Sequence, residues 1–312
     1  MAFNSINTNA GAVVALQSLN KTNSQLDMIQ KRVSTGFRVA DARDDGGAFA
    51  VAQKVRGDIA GVTSANEQLG AAKGLLDTTL SGLNRISDTM ASVRGVLVKL
   101  ADENVSGALR SSYLEQFMLL RTQVANFQND SSYNGVSLLG KSEIAGGVAE
   151  DGSSIKVVRN ERGESLEIQG VALITIGGVD VSPFDLVDGE AGDFALTDPA
   201  DTATAAAAWR EYLTGFQADG VTASTARTLA NVEAAVNLQL NRYGNAEKSV
   251  MNQIGFNKDK IDALESGLGA LIDADLAKES ARLQSLQIRQ QLGATALSAA
   301  NTAPQFLLSL FR

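Results

Sequence analysis

Val62-Thr63-Ser64-Ala65-Asn66-Glu67-Gln68-Leu69 opens a run in which apolar side chains return at every seventh place. Val62, Leu69, Leu76, Leu83, Met90 and Leu97 hold one heptad position; Ala65, Ala72, Thr79, Ile86, Val93 and Leu100 hold another, three places later. Consecutive heptads with one polar exception, Thr79, place an apolar seam along a helix and require a partner across it. No capping or breaking signal falls between about Asp44 and Ala101. One helix of roughly 55 residues is therefore predicted, about 80 Å long at the α-helical rise, longer than a compact two-domain globule needs.

Outward from that run, the chain breaks near Glu103–Gly107 and resumes with Tyr113, Phe117, Leu120, Val124 and Phe127, a three-four spacing that predicts a second helix. Asn129-Asp130-Ser131-Ser132 ends it, and Asn134-Gly135 marks a turn. Toward the amino end, Leu19, Leu26, Ile29 and Val33 form a third stripe that stops at Gly36. The carboxyl end repeats the pattern through Leu229, Val236, Tyr243, Val250, Ile261 and Leu271, with Glu247 and Asn257 as polar interruptions. Its register slips near Ile272 and resumes through Leu276, Leu283 and Leu297. Seams at both ends that each need a partner are most simply satisfied by pairing with each other, which brings both termini to one end of a rod. Gly57, Gly61, Gly70, Gly74, Gly82 and Gly95 interrupt the long helix, either to admit a neighbouring backbone or to loosen it locally.

Composition supports a helical reading and excludes much chemistry. The 312 residues include no His and no Cys, which removes the Ser-His-Asp triad, the Cys nucleophile, the Cys/His zinc site and the disulfide. Pro is absent from residues 1–182, and aromatics are 5% against 44% hydrophobic residues overall. The net charge of −8 is concentrated in one place: residues 141–220 carry −10, while each flank carries +1. So acidic an insert disfavours nucleic acid. No segment approaches about 18 consecutive apolar residues, so no membrane insertion is expected. The first basic residue is Lys21, so no cleaved signal peptide is expected; this fits either a cytosolic chain or export by a machine that reads no such peptide.

The insert differs in kind from its flanks. Ser154–Arg159, the turn Asn160-Glu161-Arg162-Gly163 and Glu164–Gln169 predict a β-hairpin, and Val171–Ile176 and Val179–Val181 predict further short strands. An Ala-rich stretch around Ala205–Tyr212, holding the one Trp (Trp209), predicts a short helix. A small lobe at the far end of the rod is expected. The fold class is thus mainly α, with long antiparallel coiled-coil helices from both termini and a β-hairpin-containing middle insert.

No catalytic, metal or cofactor site is predicted. Asp44-Asp45 reads as a helix start stabilised by acidic side chains, since adjacent helix positions diverge. Asp188-Gly189-Glu190-Ala191-Gly192-Asp193 lacks the closing Glu of a calcium loop. Gly267-Leu268-Gly269 lacks the third Gly and the preceding strand of a dinucleotide site.

Spaced motifs add a resemblance. Ser5-Ile6-Asn7-Thr8-Asn9, Arg32-Val33-Ser34-Thr35-Gly36-Phe37-Arg38 and Asp41-Ala42-Arg43-Asp44-Asp45 resemble the amino-terminal region of bacterial flagellins. So does Tyr133-Asn134-Gly135-Val136. Asp273-Ala274-Asp275-Leu276-Ala277-Lys278-Glu279-Ser280 and the ending Pro304-Gln305-Phe306-Leu307-Leu308-Ser309-Leu310 are similar to the family's carboxyl region, in the alphaproteobacterial style. The resemblance implies a secreted, extracellular subunit that polymerises with itself into the flagellar filament used for motility. It also implies passage through the flagellar type III export apparatus with an export chaperone, and contact with hook-junction and cap proteins.

By the same resemblance, residues 1–43 and 272–312 are inner-tube helices, 44–140 and 221–271 the long-helix shell, and 141–220 the solvent-facing insert. Subunit packing would fall to Leu16, Leu19, Leu26, Ile29, Val33, Leu283, Leu286, Leu297, Phe306, Leu307 and Leu310, faces expected to bury only between subunits. The stretch that widely sensed flagellins carry as Gln-Arg-Val-Arg-Glu-Leu-Ala has Ser92 and Gly95 at its Arg and Glu, so the resemblance does not extend to innate-receptor recognition. A hook–filament junction protein shares the terminal helices, but the matches at both termini and the compact insert favour the bulk subunit. A cytoplasmic coiled-coil signalling rod leaves the Pro304–Leu308 ending unexplained.

Overall fold

The computed structural model describes residues 9–141, 151–171, 174–176, 179–181, 202–214 and 228–310, without the side chains of 174–176, 179–181, 202–205 and 303–310. Among the described residues six helices dominate: α1 (Ala10–Thr35), α2 (Gly46–Leu100), α3 (Gly107–Asp130), α4 (Thr202–Thr214), α5 (Leu229–Ile272) and α6 (Leu276–Leu310). α2 runs 55 residues without interruption, as its heptads predict. Three antiparallel two-stranded ribbons complete the set: β1 with β2 (Ser132–Tyr133, Val136–Ser137), β3 with β4 (Ile155–Val158, Ser165–Ile168) and β5 with β6 (Ile174–Ile176, Val179–Val181). The expected turn residues Gly177 and Gly178 and the acidic loop 188–193 lie outside the described residues. The chain divides into two units, Met1–Ala60 with Lys260–Arg312, and Gly61–Asp259, and α2 and α5 contribute to both.

In the first unit α1 and α6 pack together. The Asn9 side chain accepts the Ala12 N–H at 3.0 Å and starts α1. Gly36, at φ 75°, ends it with its N–H on the Arg32 carbonyl, a left-handed stop that glycine adopts without a Cβ penalty. The pairing is antiparallel: Asn9 donates to the Ala300 carbonyl at 2.8 Å, Gln290 to Asn23 at 2.9 Å, and Arg32 lies 3.4 Å from Glu279. Leu26, Ile29 and Leu286 are buried between the helices, flanked by Val33 and Leu283.

The second unit is built on the α2 seam. Leu69, Leu76, Leu83, Ile86, Met90, Val93, Leu97 and Leu100 are buried against Phe117 and Val124 of α3 and Leu229, Val236, Tyr243 and Val250 of α5. Thr79 is tolerated on that seam because its hydroxyl donates to the Leu75 carbonyl at 2.8 Å, leaving only its methyl to pack. At the end of α2, buried Arg110 donates to the Leu100 carbonyl at 2.6 Å and the Asp102 carbonyl at 2.8 Å, satisfying acceptors that a helix terminus leaves open.

The expected separate lobe is not what the described residues form. Val157 and Ile168 of the β3–β4 hairpin and Trp209 and Tyr212 of α4 belong to the same buried cluster as the α2 seam. Trp209 meets Phe117 edge-on at 5.2 Å. An isolated two-stranded hairpin is marginal in water, so it lies on the bundle instead. The six glycines that interrupt the body of α2 split evenly. A Cβ at Gly61, Gly74 or Gly82 would meet Glu161, Tyr133 or Ser131, whereas Gly57, Gly70 and Gly95 face open space.

Candidate assembly surface

The breaks on either side of α1 and α6 meet each other. Phe37 pairs with Asp273 as an isolated antiparallel bridge, Arg38 N–H donates to the Ile272 carbonyl at 2.7 Å, and Ala274 N–H to the Gly36 carbonyl at 2.9 Å. Beneath them Val39, Ala52 and Ile272 are buried, and Phe37, Phe49 and Leu268 pack half-buried against them. The motif residues Gly36, Arg38 and Asp273 therefore form one joint, and Asp275 adds the cap that starts α6, accepting Lys278 N–H at 3.1 Å. Ser34 and Thr35 close the last turn of α1; Ser280 is exposed. Asn134 and Gly135, with φ of 51° and 77°, make the β1–β2 turn in the other unit, the positive-φ pair that a two-residue hairpin demands.

Asp44 and Asp45 have separate roles, which corrects the reading of both as a helix start. Asp45 caps α2, its carboxylate accepting the N–H groups of Gly47 at 3.1 Å and Ala48 at 3.0 Å. Asp44 sits in the preceding loop, where it accepts the N–H of Ala40 at 3.0 Å and of Asp41 at 3.2 Å and the Lys31 ammonium at 3.1 Å. Asp41 takes the same ammonium at 2.6 Å. The hydrogen bond from Lys31 holds both carboxyls below their ordinary range, and the carboxylates raise the lysine.

The residues expected to pack between subunits separate into groups. Leu26, Ile29, Val33, Leu283 and Leu286 cover one another inside the chain, which corrects the expectation that these faces bury only between subunits: the antiparallel pair gives each seam a partner at once. Leu19 is half-buried against Gly293, Leu297 is half-buried, and Leu16 is exposed. The side chains of Phe306, Leu307 and Leu310 lie outside the described residues.

Sequence reasoning missed a second face. Val14 is 65% exposed and Met28 48% on α1, with Val13 beside them, and Ile288 58% and Leu292 62% on α6; Leu276, which the stripe assigns to the seam, is exposed instead. At 100° per residue Met28 and Ile288 lie about 160° round the helix from Leu26 and Leu286, and Val14 and Leu292 about 120°. The signal was available as apolar residues left over once the first stripe was assigned.

Among the described residues no cluster of three or more acids could hold a metal, and no helix is long and apolar enough to cross a membrane. Paired terminal helices that keep a second apolar face uncovered are built as a subunit of a larger assembly.

Comparison with known proteins agrees. Residues 6–143 match the bacterial flagellin N-terminal helical region and residues 226–311 the bacterial flagellin C-terminal helical region. Flagellin FljO of Caulobacter vibrioides is 33% identical over 314 residues, covering 100% of both chains. The flagellin of Brucella melitensis is 29% identical, covering 99% of each. A solved protein of Vibrio parahaemolyticus, described as a flagellar hook-associated protein, superposes with a TM-score of 0.55 at 14% identity, covering 74% of this chain and 100% of that one; this likeness is one of fold. The chain belongs to the bacterial flagellin family. It is a structural, non-catalytic subunit that self-polymerises into the extracellular flagellar filament of motility.

Proposed function

We propose that the outward apolar strips of α1 and α6 drive that polymerisation by docking against the same helices of neighbouring copies. The observation that carries this reading is the exposure of Val14, Met28, Ile288 and Leu292 on the far side of a pair whose inner seam is already buried. Apolar surface left in water by a monomer contributes a gross gain of about 25 cal/mol per Å² when a neighbour covers it, against which stands the entropy lost on association. Residues 1–43 and 272–312 then line the inner tube, 44–140 and 221–271 form the next shell, and 141–220, whose β3–β4 hairpin and α4 pack on that shell, makes its solvent-facing side. Of the remaining packing candidates, Leu16, Phe306, Leu307 and Leu310 extend the same contact, while Leu19 and Leu297 continue the inner seam. In this reading the chain leaves the cell through the flagellar export apparatus, accompanied by a chaperone that shields these strips. The hook-junction and cap proteins bound the polymer at its two ends.

Val14→Asp and Ile288→Asp test the proposal, because neither side chain supports the monomer. Seeded polymerisation followed by light scattering and microscopy should fail for both, with monomer melting unchanged. Filaments growing at the wild-type rate from either variant would overturn the assignment of this face.

A further inference from the structure

In the second unit, the outward face of α3 has an unusual surface. One helical turn after another it presents Ser112, Glu115, Leu119, Thr122 and Asn126, spaced three and four apart. Leu119 sits at its centre and is 70% exposed. Between Gly107 and Asn129 the charged residues are Arg110, Glu115 and Arg121; Arg110 is buried and Arg121 half-buried, so Glu115 is the one exposed charge. Depletion of charge around an exposed large apolar side chain is the composition of an interface centre and not of a solvated helix face.

The chain carries the complement elsewhere. On α5, Lys248, Met251, Gly255 and Lys258 follow at three, four and three residues, on one exposed side of the helix. Met251 is 50% exposed, and a Cβ placed on Gly255 would meet nothing within 4 Å. The strip is thus a flexible thioether beside a notch, with an ammonium at each end. Glu115, Lys248 and Lys258 have no ion-pair partner in the chain among the described residues.

We propose that the α3 face is a subunit contact that receives the α5 strip of a second copy: Leu119 enters the notch at Gly255 against Met251, and Glu115 meets the lysines at the rim. The inference rests on the polymerising role already assigned and adds which surfaces of the second unit meet. Its occupant is another copy because the two faces differ and complement each other in charge. Each is poorly matched to itself, so a bound pair still offers one free face of each kind. Such head-to-tail contacts extend into an open helical polymer when the rotation does not close a ring.

The absence of Cys from the chain makes Leu119→Cys a unique probe. Its maleimide labelling should be fast in the monomer and slower by about tenfold in sedimented filaments, since an interface centre excludes water. Ser112→Cys reports on the same face. If both variants stay monomeric with wild-type melting, the face is needed for assembly and the contact stands. Charge gives a directional test: Leu119→Lys should slow elongation more than Leu119→Glu, and Met251→Glu more than Met251→Lys. Equal labelling of Leu119→Cys in monomer and in well-formed filaments would overturn the contact and leave polymerisation intact. Failure of the wild-type chain to polymerise under seeded conditions would overturn the polymerising role and the contact with it.

Discussion

Asn257 on α5 donates its amide to the Asn66 carbonyl oxygen on α2 at 2.9 Å, joining residues 191 apart in sequence. The same amide group also donates to the Arg159 carbonyl at 3.0 Å, and Gln253 donates to the Asn257 oxygen at 3.0 Å. Asn257 is 1% exposed, so this polar interruption of the apolar seam fixes the α2–α5 register and the adjoining hairpin, much as a buried Asn does in a coiled coil. Replacing Asn257 with Leu strands these partners. It is expected to cost about 1–3 kcal/mol, read as a lowered urea midpoint of the monomer; an unchanged midpoint would count against the register role.

Tyr243 makes a second tie. Its hydroxyl lies 3.1 Å from the Leu138 carbonyl and 3.2 Å from the Gln169 carbonyl, joining α5 to both segments that flank the β3–β4 hairpin. Burial pushes the phenol up to about 12 from its ordinary 10.0. The native state therefore holds this proton more tightly than the unfolded state, and stability falls as pH rises above about 10. In a spectrophotometric titration one tyrosine should ionise late, together with alkaline unfolding, and Tyr243→Phe should remove that late step.

The clamp of Lys31 on Asp41 and Asp44 predicts the opposite dependence at acid pH. Both carboxyls titrate below their ordinary value of 3.8 in the folded chain, so their contribution is present above that value and is lost as pH falls through the lowered ones. Lys31 is raised above 10.5, so its contribution is full below that value and fades as pH rises through the raised one. Asp44→Asn should lower the melting temperature at neutral pH, and the gap from wild type should close in strong acid. A gap of equal size at both pH values would exclude the clamp as its cause.

The glycines of α2 give a paired test. A Cβ at Gly82 would stand 1.8 Å from the Ser131 hydroxyl oxygen and 2.9 Å from its Cβ, so Gly82→Ala should destabilise the monomer by about 1–3 kcal/mol. Ser131→Gly should recover part of that loss, a non-additivity expected of touching residues. Gly70→Ala, facing open space, should stabilise by about 0.5–1 kcal/mol. Thermal melts of the monomer separate these signs.

Most of the helical framework was legible because heptad spacing and glycine stops are local signals. The seam from Val62 to Leu100 needed no knowledge of its partner to be read as one long helix, and Gly36 marked the end of α1 by its freedom from Cβ strain. Motifs at both ends then carried the family. The site was less legible. A stripe names the face that a helix buries first, so Leu26, Ile29 and Leu283 follow from it; it cannot say whether the cover comes from the same chain. Val14, Met28, Ile288 and Leu292 were passed over because they fall on the other side of the same helices. Asp44 and Asp45 are identical neighbours in sequence, yet Asp45 caps a helix and Asp44 clamps a loop, since only the fold places Lys31 beside Asp44.

The sequence by itself thus determined the helices, the turns and the membership of a polymer-forming family, because these follow from periodicity, φ preference and residue order along the chain. Only the tertiary structure decided that the β3–β4 hairpin packs on the helical bundle and Trp209 in its core, which α2 glycines are crowded, and which apolar faces stay uncovered. Those outcomes depend on distances between residues far apart in the chain, and hydrophobic burial has no direction that a linear pattern could record.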